Sequence, residues 1–534
     1  MNRRLVLALL ACSLAACFGH RRAAECYSTD DCDSDEVCFL ASCQRAGYAI
    51  TTVYATLTPP NDSPYLPQPY PGAIDLSRGS QRLLLRAPVT MNGQVVRAGA
   101  GAISMTGLLR ARGDGPLPGM EVTQQVSVDG AGFALPLVPG TPYRLTFTPD
   151  GVAGEPPIDF PPAAEPELVL GADTTQNLTY PVADTLVVVR GQVTSDEWTP
   201  VSGAQVSAIA TTLDGATSMR ALSTSTDVAG EYRLVFAPGA ERFDITVGSG
   251  TNPLVPESTA VGLLGTPSGS GTDLTLPKIT LGDITGVQAL TEVRDASSLV
   301  AIANASVLFV GSVGLGRFVT TGTSLTTGAI ESDSAQLPTG VLTVLPGSYT
   351  ITVAPPKSQP YALTTLDAEL PSADEPLVLS VRRKVRVSGR VLRHERTPLP
   401  QARITMTLRG SAVARSFATT SSEDGSYALD VDPGTTDTPA SYEVVVEPDR
   451  ASGQPRHREL LRVTDVGESH DIELFAPSFA YGRVVSAASQ VVPGVIIAFY
   501  SEELGTPTEP LLVGLGETNE LGEFAVPLPT PDGN

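Results

Sequence analysis

The chain is poor in aromatic residues, charged residues and histidine. Of its 534 residues, 5% are aromatic with a single tryptophan, 17% are charged, and four are histidines. Acidic residues outnumber basic ones by 57 to 35, which gives a formal net charge of −22. Nucleic-acid binding requires clustered lysine and arginine that neutralise phosphates. The charge balance therefore argues against a nucleic-acid partner.

Long apolar runs and late cysteines are also absent. No stretch reaches the 18 uninterrupted apolar residues that are typical of a transmembrane helix. All six cysteines lie within the first 43 residues. We therefore expect no membrane-spanning helix, and any disulfide chemistry is confined to the N-terminal end.

The composition that remains is typical of a folded β-rich protein. Hydrophobic residues reach 42%, which excludes a disordered acidic tail. The 50 glycines and 45 prolines are too many for a helical bundle or a coiled coil. The length suffices for about three to five domains.

The N-terminus has the features of an export signal. Two arginines, Arg3 and Arg4, precede an apolar run over residues 5–16 that is too short to span a bilayer. Residues 14–17 (Leu-Ala-Ala-Cys) resemble the lipobox of bacterial lipoproteins. That resemblance implies that Cys17 carries the lipid and begins the mature chain, and Phe18 gives no inner-membrane retention signal. We therefore expect a lipid-anchored protein of the cell envelope, at the outer membrane or cell surface; the alternative is an ordinary secretory cleavage site.

Four further cysteines, Cys26, Cys32, Cys38 and Cys43, lie close together. In an exported chain they predict two disulfides, and three pairings are compatible with the sequence. Zinc binding would require tight Cys-x-x-Cys pairs, which are absent. The spacing resembles small Cys-rich modules of the EGF or Dickkopf type, and disulfides would supply the order that so short a segment cannot obtain from a core.

A set of short motifs recurs along the rest of the chain. A strand-like run ends in Gly-x-Val, a turn with a small residue follows, then Gly-x-Tyr, and finally Pro-Gly before an alternating strand. The opening glycines are placed at positions 107, 191, 286, 389 and 482, with steps of 84, 95, 103 and 93 residues. Alternation with period two between turn signals predicts short β-strands, and about seven per copy predict a β-sandwich.

These motifs resemble the carboxypeptidase regulatory-like domain. The resemblance is good over residues 183–250 and 381–450, fair over 99–150 and 479–534, and weak over 281–356. It implies a transthyretin-like sandwich of the carbohydrate-binding-like group, and an accessory role without catalysis. The predicted fold class is all-β: a tandem array of Ig- or transthyretin-like sandwiches behind a small disulfide-rich module.

The predicted boundaries divide the chain into nine segments. They are a signal peptide (1–16), a lipidated tether (17–25), a Cys-rich module (26–46), a Pro-rich β segment (47–98) and five sandwiches (99–182, 183–280, 281–380, 381–478 and 479–534). The Pro-rich segment is interpreted either as a degenerate sandwich or as a stiff spacer. The last sandwich lacks its Pro-Gly strand and its closing strand. Either it is truncated or degenerate, or it leaves a sheet edge open to a strand from a partner or a second copy.

The sequence contains no recognisable catalytic constellation. His394 and His457 lack the following residues that a carboxypeptidase or zincin metal site requires. No Gly-x-Ser-x-Gly elbow and no phosphate-binding loop occurs. We therefore predict no enzymatic activity, no catalytic residues, no metal site and no cofactor.

The single tryptophan supplies the one candidate binding site. Trp198 lies in a predicted loop beside Asp196 and Glu197, a combination that suits stacking on a sugar ring and hydrogen bonding to its hydroxyls. The alternative is that Trp198 packs over the end of its sandwich. Tyrosines of the Pro-Gly strands (Tyr143 and Tyr349 among them) are predicted to fill cores or to form tyrosine-corner hydrogen bonds.

Together these features predict a non-enzymatic, lipid-anchored envelope protein that acts as a structural or adhesive scaffold. One alternative is a carbohydrate-binding surface protein, with cell-wall or extracellular polysaccharide as its partner. Another is an accessory subunit that docks a secreted enzyme or envelope machine, or another surface protein, through the incomplete last domain.

Overall fold

The computed structural model describes most of the chain after residue 49. The described residues are 36–39, 42–45, 50–99, 103–150, 155–160, 167–215, 217–268, 272–313, 316–372, 376–506 and 509–530. Below residue 50 the description covers the backbone alone. The predicted signal peptide, Cys17, Cys26 and Cys32 lie outside the described residues.

A two-stranded hairpin is the first described element. It consists of β1 (Glu36–Phe39) and β2 (Ser42–Arg45), which pair antiparallel. Their register makes Cys38 and Cys43 direct Cα partners. The disulfide pairing of the four cysteines stays a prediction.

The N-terminal segment and the first two sandwiches contain strands β3–β27. The segment contains β3 (Thr52–Thr58), β4 (Gln68–Pro69), β5 (Ile74–Asp75) and β6 (Gln81–Leu85). The first sandwich contains β7 (Val89–Gly93), β8 (Val95–Arg97), β9 (Ile103–Ser104), β10 (Gly107–Gly113), β11 (Val122–Val128), β12 (Phe133–Leu137), β13 (Pro142–Pro149), β14 (Ile158–Phe160), β15 (Leu168–Val169), β16 (Thr174–Thr175) and β17 (Leu178–Tyr180). The second contains β18 (Val187–Thr194), β19 (Ala204–Thr211), β20 (Ser218–Arg220), β21 (Thr224–Ser225), β22 (Glu231–Phe236), β23 (Arg242–Ser249), β24 (Ser258–Leu264), β25 (Thr266–Pro267), β26 (Asp273–Thr275) and β27 (Ile279–Thr280).

Strands β28–β48 form the rest of the chain. The third sandwich contains β28 (Val287–Ala289), β29 (Thr291–Asp295), β30 (Ser306–Val313), β31 (Gly316–Ser324), β32 (Ile330–Ser332), β33 (Leu342–Val344), β34 (Gly347–Ala354), β35 (Thr364–Leu370) and β36 (Leu377–Val381). The fourth contains β37 (Val385–Leu392), β38 (Arg403–Leu408), β39 (Ser416–Thr420), β40 (Ser426–Val431), β41 (Ala440–Glu447), β42 (His457–Val463), β43 (Glu468–Ser469) and β44 (Ile472–Glu473). The C-terminal strands are β45 (Ala476–Ser486), β46 (Ile496–Thr506), β47 (Glu509–Glu517) and β48 (Glu523–Thr530).

Helix is scarce among the described residues. They contain three single-turn 3₁₀ helices, at Leu76–Arg78, Ala183–Thr185 and Arg450–Ser452. Within the same residues, no helix has the length and apolar character needed to cross a membrane. The predicted all-β class with an array of sandwiches is confirmed.

The fourth sandwich illustrates the topology that the copies share. One sheet has the order β39-β38-β41-β42; in the other, β37 pairs antiparallel with β40 on one side and parallel with β43 and β44 on the other. The second sandwich repeats this plan, with β18 between β22 and the closing strands β26 and β27. The first strand of each copy thus lies beside its closing strand.

Period-two alternation accounts for the layers. In β19 the first seven residues alternate between buried and exposed, so one face enters the core and the other meets solvent. Five clusters of buried apolar side chains result, each formed mainly by the strands of one sandwich. Each cluster is the core of one sandwich.

The Gly-x-Val and Gly-x-Tyr motifs face each other across one strand pair. Gly191 is the Cα partner of Tyr232, and Gly389 is the partner of Tyr427. A Cβ on Gly191 would lie 2.3 Å from the Tyr232 hydroxyl oxygen, so the ring can cover the strand only where the side chain is a hydrogen. The two motifs are therefore one structural unit.

This pairing corrects two repeat positions. In the first sandwich Phe133 faces Gly93, so that copy opens at Gly93 and not at Gly107. In the second and fourth sandwiches an isolated bridge starts from the last residue of β18 and of β37, three positions after the opening glycine. The corresponding bridge in the third sandwich starts from Arg294 in β29, which places the opening at Thr291 and not at Gly286. The openings are then 93, 191, 291, 389 and 482, with steps of 98, 100, 98 and 93 residues.

Tyrosines of the Pro-Gly strands are buried and hydrogen-bonded, as predicted. The Tyr143 hydroxyl accepts from the Val138 amide at 3.1 Å. The Tyr349 hydroxyl donates to the Leu345 carbonyl at 2.5 Å. Both side chains are at most 2% exposed, and burial raises both pKa values, so the phenols stay neutral and act as corner ties.

The prediction that residues 47–98 and 479–534 form separate units is wrong. Strand β3 pairs antiparallel with β46, with Thr56 opposite Ala498, and β6 pairs parallel with β45, with Leu83 opposite Val484. One core cluster contains buried residues from both ends of the chain, including Leu57 and Phe499. Residues 50–86 and 476–530 therefore fold into a single unit, which we call the composite sandwich.

The N-terminal strands occupy the places that the C-terminal copy leaves empty. Strand β3 lies beside β46 as β41 lies beside β38 in the fourth sandwich, and β6 lies beside β45 as the closing strands lie beside β37. The missing Pro-Gly strand and closing strand are thus supplied by the same chain. The C-terminal sandwich is neither incomplete nor open at these positions.

Direct contacts connect neighbouring sandwiches around the array. Arg86 of the composite sandwich donates to the Pro139 carbonyl of the first at 2.5 Å, and Ala237 of the second packs on the core of the first. Two backbone hydrogen bonds of 2.7 Å join Glu257 to Arg317 between the second and third. Arg415 of the fourth donates to a carbonyl of the third at 2.9 Å.

The last junction returns to the composite sandwich. Arg450 of the fourth sandwich forms an ion pair with Glu517 at 2.7 Å. Because the composite sandwich also contacts the first, the five sandwiches form a closed circuit. The chain enters and leaves this circuit in the same sandwich.

Candidate binding surface at the Trp198 loop

The loop between β18 and β19 presents Trp198 to solvent. The Asp196 carboxylate accepts hydrogen bonds from the amides of Trp198 and Thr199, at 2.7 and 2.6 Å, and from the Thr199 hydroxyl at 2.9 Å. This closes an Asx turn at the loop tip. The indole is 79% exposed, so Trp198 does not pack over the end of the sandwich.

Asp196 serves the loop itself. The amide of Thr199 contributes most to lowering the Asp196 carboxyl pKa below its usual range, and the Trp198 amide adds to it. The carboxylate is already engaged with three donors, which leaves it a positioning role. Of the three predicted residues, Trp198 and Glu197 are the two that the loop offers to a ligand.

Sequence reasoning missed Lys278. Its ammonium lies 5.9 Å from the centroid of the Trp198 ring and donates to the Glu197 carbonyl at 3.0 Å. This distance is within cation–π range, and the contact braces the indole from one side. Lys278 precedes the closing strand β27, which pairs with β18, so the shared topology is the signal that would have located it.

A shallow groove of about 600 Å³ adjoins the loop. It follows β18 past Gly191 and Tyr232, and Lys278 borders both this groove and the indole. The Tyr232 side chain is buried, and burial raises the pKa of its hydroxyl to about 12. The composite sandwich has a similar groove at Gly482 and Phe524. A ligand that stacks on Trp198 could therefore extend along an open sheet face.

Two histidines of the fourth sandwich meet one carboxylate. The His457 Nε2 lies 3.1 Å from one carboxylate oxygen of Glu459, and the His470 Nε2 lies 2.6 Å from the other. Burial opposes ionisation of Glu459, but the two imidazoles outweigh it and lower its pKa to about 2. Burial lowers the His470 pKa, and the Glu459 carboxylate more than offsets this, so the net shift is upward.

This cluster is an internal polar contact. Both imidazole Nε2 atoms are directed at Glu459, which stabilises the carboxylate and leaves no shared open position between the three side chains. Within the described ranges, no group of three His, Cys, Asp or Glu side chains is placed to hold a metal ion. His394 lies apart, in the turn after β37.

Comparison with solved structures gives partial likenesses to β-rich surface proteins, among them the following three. No family model and no curated protein matches the chain. The Bacillus anthracis TIE protein is 11% identical over 72% of this chain and 73% of its own, with a TM-score of 0.16. A streptococcal ancillary pilin is 11% identical over 72% of this chain and 98% of its own, with a TM-score of 0.17. The shaft pilin SpaA of Lactobacillus rhamnosus GG is 12% identical over 35% of this chain and 97% of its own, with a TM-score of 0.19.

At these TM-scores the superpositions support no inference. The fold assignment rests on strand pairing and on the five cores alone.

Proposed function

We propose that the protein is a non-enzymatic scaffold of the bacterial cell envelope, which holds binding surfaces at a fixed geometry. The observation that carries this proposal is the composite sandwich, in which the two ends of the chain complete one fold. A closed circuit restrains each sandwich from both sides. A linear string would leave its terminal sandwiches free to move.

The same closure suits an exposed location. Sheet edges that lack a neighbour invite strand addition and aggregation. In the composite sandwich the positions next to β46 and β45 are occupied by β3 and β6 of the same chain. A surface protein built in this way presents side chains to its surroundings and withholds those backbone edges.

Membrane attachment through Cys17 belongs to the proposal and rests on the lipobox-like residues 14–17. In a Gram-negative host, the wild-type chain is expected in the membrane fraction, labelled by radioactive palmitate. Cys17→Ser removes the thiol that would be acylated, and most of this variant is expected in the soluble fraction without label.

Cys12→Ser is the matched control, because it changes a cysteine within the predicted signal peptide. Membrane association of Cys17→Ser equal to that of the wild type would contradict the lipid anchor. The scaffold fold would be unaffected by that result.

A second candidate function is carbohydrate binding at the Trp198 loop. The observation that favours it is the 79% exposure of the only tryptophan, held outward by an Asx turn and braced by Lys278. Exposed aromatic faces flanked by polar groups suit sugar rings. Cell-wall or extracellular polysaccharide would be the partner.

A glycan-array screen with Trp198→Ala tests this candidate. We expect the variant to lose glycan binding and to change the free energy of unfolding by less than about 0.5 kcal/mol, because the indole contributes little to the core. Leu213→Ala is the control, since Leu213 is also exposed and lies in another loop of the same sandwich. Unchanged binding by Trp198→Ala would refute the site.

A further inference from the structure

A cleft of about 690 Å³ separates the first and second sandwiches. One wall is the outward face of the sheet that contains β10, β13 and β14, and the other is β20 together with Ala237 and Pro238. Ala237 also packs against the core of the first sandwich, so the two walls belong to sandwiches that touch. The volume lies within the usual range of ligand pockets.

The cleft is basic in an acidic chain. Arg110, Arg112, Arg144 and Arg220 line it, and among the lining residues that the structure describes Asp159 is the one acidic side chain. The chain as a whole has a formal charge of −22. The cleft therefore concentrates basic side chains in a chain whose overall charge is negative.

Three of these guanidinium groups lack partners in the part of the chain that the structure describes. Arg112 forms ion pairs with Glu121 and, at 3.9 Å, with Asp114. Arg110, Arg144 and Arg220 form no ion pair or hydrogen bond with any described side chain. Their donors are available to a ligand.

The strand register places the arginines side by side on one face of the sheet. Arg112 and Arg144 are Cα partners on β10 and β13, and Arg110 lies two residues along on the same face. Like charges directly opposite each other in a sheet are destabilising. Asp159 is two strands away from Arg110, and its carboxylate already accepts from Thr146 at 2.7 Å. A bound anion would relieve the repulsion.

Apolar side chains lie between the charges. Leu108, Met219 and Pro238 line the cleft, as does the largely buried Ile158. Guanidinium forks bind carboxylate and sulfate through paired hydrogen bonds, while apolar surface suits the C–H faces of sugar rings. The described lining residues include no aromatic side chain, so they offer no platform for stacking bases.

We propose that this cleft binds an acidic oligosaccharide that carries carboxylate or sulfate groups, with Arg110, Arg144 and Arg220 contacting the anionic groups. The site is separate from the Trp198 loop and does not depend on the scaffold proposal. A ligand bound there would contact both the first and the second sandwich.

Calorimetric titration of the full chain tests the proposal. The probes are trigalacturonate, a heparin tetrasaccharide and neutral maltotriose. We expect at least one acidic probe to bind, with an affinity that falls as salt rises, and maltotriose to give no heat. The double variant Arg110→Gln with Arg144→Gln is expected to bind about tenfold or more weakly, because two charge-assisted contacts are lost.

Arg403→Gln is the matched control, since Arg403 is an exposed arginine at the start of β38 in the fourth sandwich. The proposal is overturned if neither acidic probe binds, or if the double variant binds as tightly as the Arg403 variant. It is also overturned if sulfate ion or a hexaglutamate peptide displaces the saccharide at equal concentration, because charge alone would then explain the binding.

Discussion

Gly482→Ala is expected to separate β6 from β45 in the composite sandwich. A Cβ at this position would lie 1.9 Å from the Gln81 carbonyl oxygen and 2.7 Å from its carbon, both backbone atoms of β6. Backbone in a paired strand cannot yield as a flexible side chain can. The strand must separate from β45, and the shared core that includes Leu83 is exposed to water.

The expected loss is about 3 kcal/mol in the free energy of unfolding of the composite sandwich. Calorimetry would show its transition at a lower temperature, and limited proteolysis would cut within residues 50–86. Gly248→Ala is the control, because a Cβ on Gly248 meets no atom within 4 Å. Equal melting temperatures for the two variants would contradict the assignment of β6 to this sandwich.

A buried ion pair is one of several contacts that join the third and fourth sandwiches. Arg415 donates to both oxygens of Asp432, at 2.9 and 3.1 Å, and both side chains are at most 4% exposed. Arg415 also donates to the Pro355 carbonyl at 2.9 Å, and Asp432 accepts from the Leu363 amide at 2.9 Å. The pair therefore links two sandwiches and satisfies buried groups of both.

Asp432→Asn is expected to destabilise the fourth sandwich by about 3–5 kcal/mol. The amide retains the shape of the carboxylate but leaves the buried Arg415 charge uncompensated, which accounts for most of the loss. Thermal or urea unfolding measures the change. Glu517→Gln is the control; it removes one partner of the exposed Arg450 pair and is expected to cost at most about 1 kcal/mol.

A loss below about 1 kcal/mol in Asp432→Asn would show that this pair does not hold the junction.

Much of the fold could be predicted from local patterns. Alternation in strands such as β19, and turns at Gly and Pro-Gly, depend on interactions within a few residues. The buried tyrosines Tyr143 and Tyr349 followed from their place in the Pro-Gly strands. The prediction misplaces the opening of the first copy at Gly107 because Gly93 lies in the Pro-rich segment 47–98, which is interpreted as a degenerate sandwich or a stiff spacer and not as part of the first copy.

The composite sandwich was missed because its strands are more than 400 residues apart in the sequence. When each copy is compared with its neighbours along the chain, residues 47–98 and residues 479–534 are assigned to two separate domains. Two signals in the sequence nevertheless point to it. The last copy lacks two strands, and the N-terminal segment contains strand-like runs that belong to no predicted copy. Only tertiary pairing joins them.

The candidate sites were predictable in part. Trp198 was found because its residue type is rare, and the structure adds Lys278 through the register of β18 and β27. The arginine cleft left no local signal. Arg112 and Arg144 become neighbours through the register of β10 and β13, and Arg220 joins them only when two sandwiches meet.

Cross-linking across β3 and β46 tests the closed circuit most directly. Thr58 and Ile496 are Cα partners on these strands, and both are exposed. In the double variant Thr58→Cys with Ile496→Cys, mild oxidation is expected to join the two positions within one chain, seen as a linked peptide in monomeric protein. The control pairs Thr58→Cys with Val228→Cys, because Val228 is 88% exposed and lies in the second sandwich. No linkage between positions 58 and 496, or linkage only between separate chains, would contradict closure.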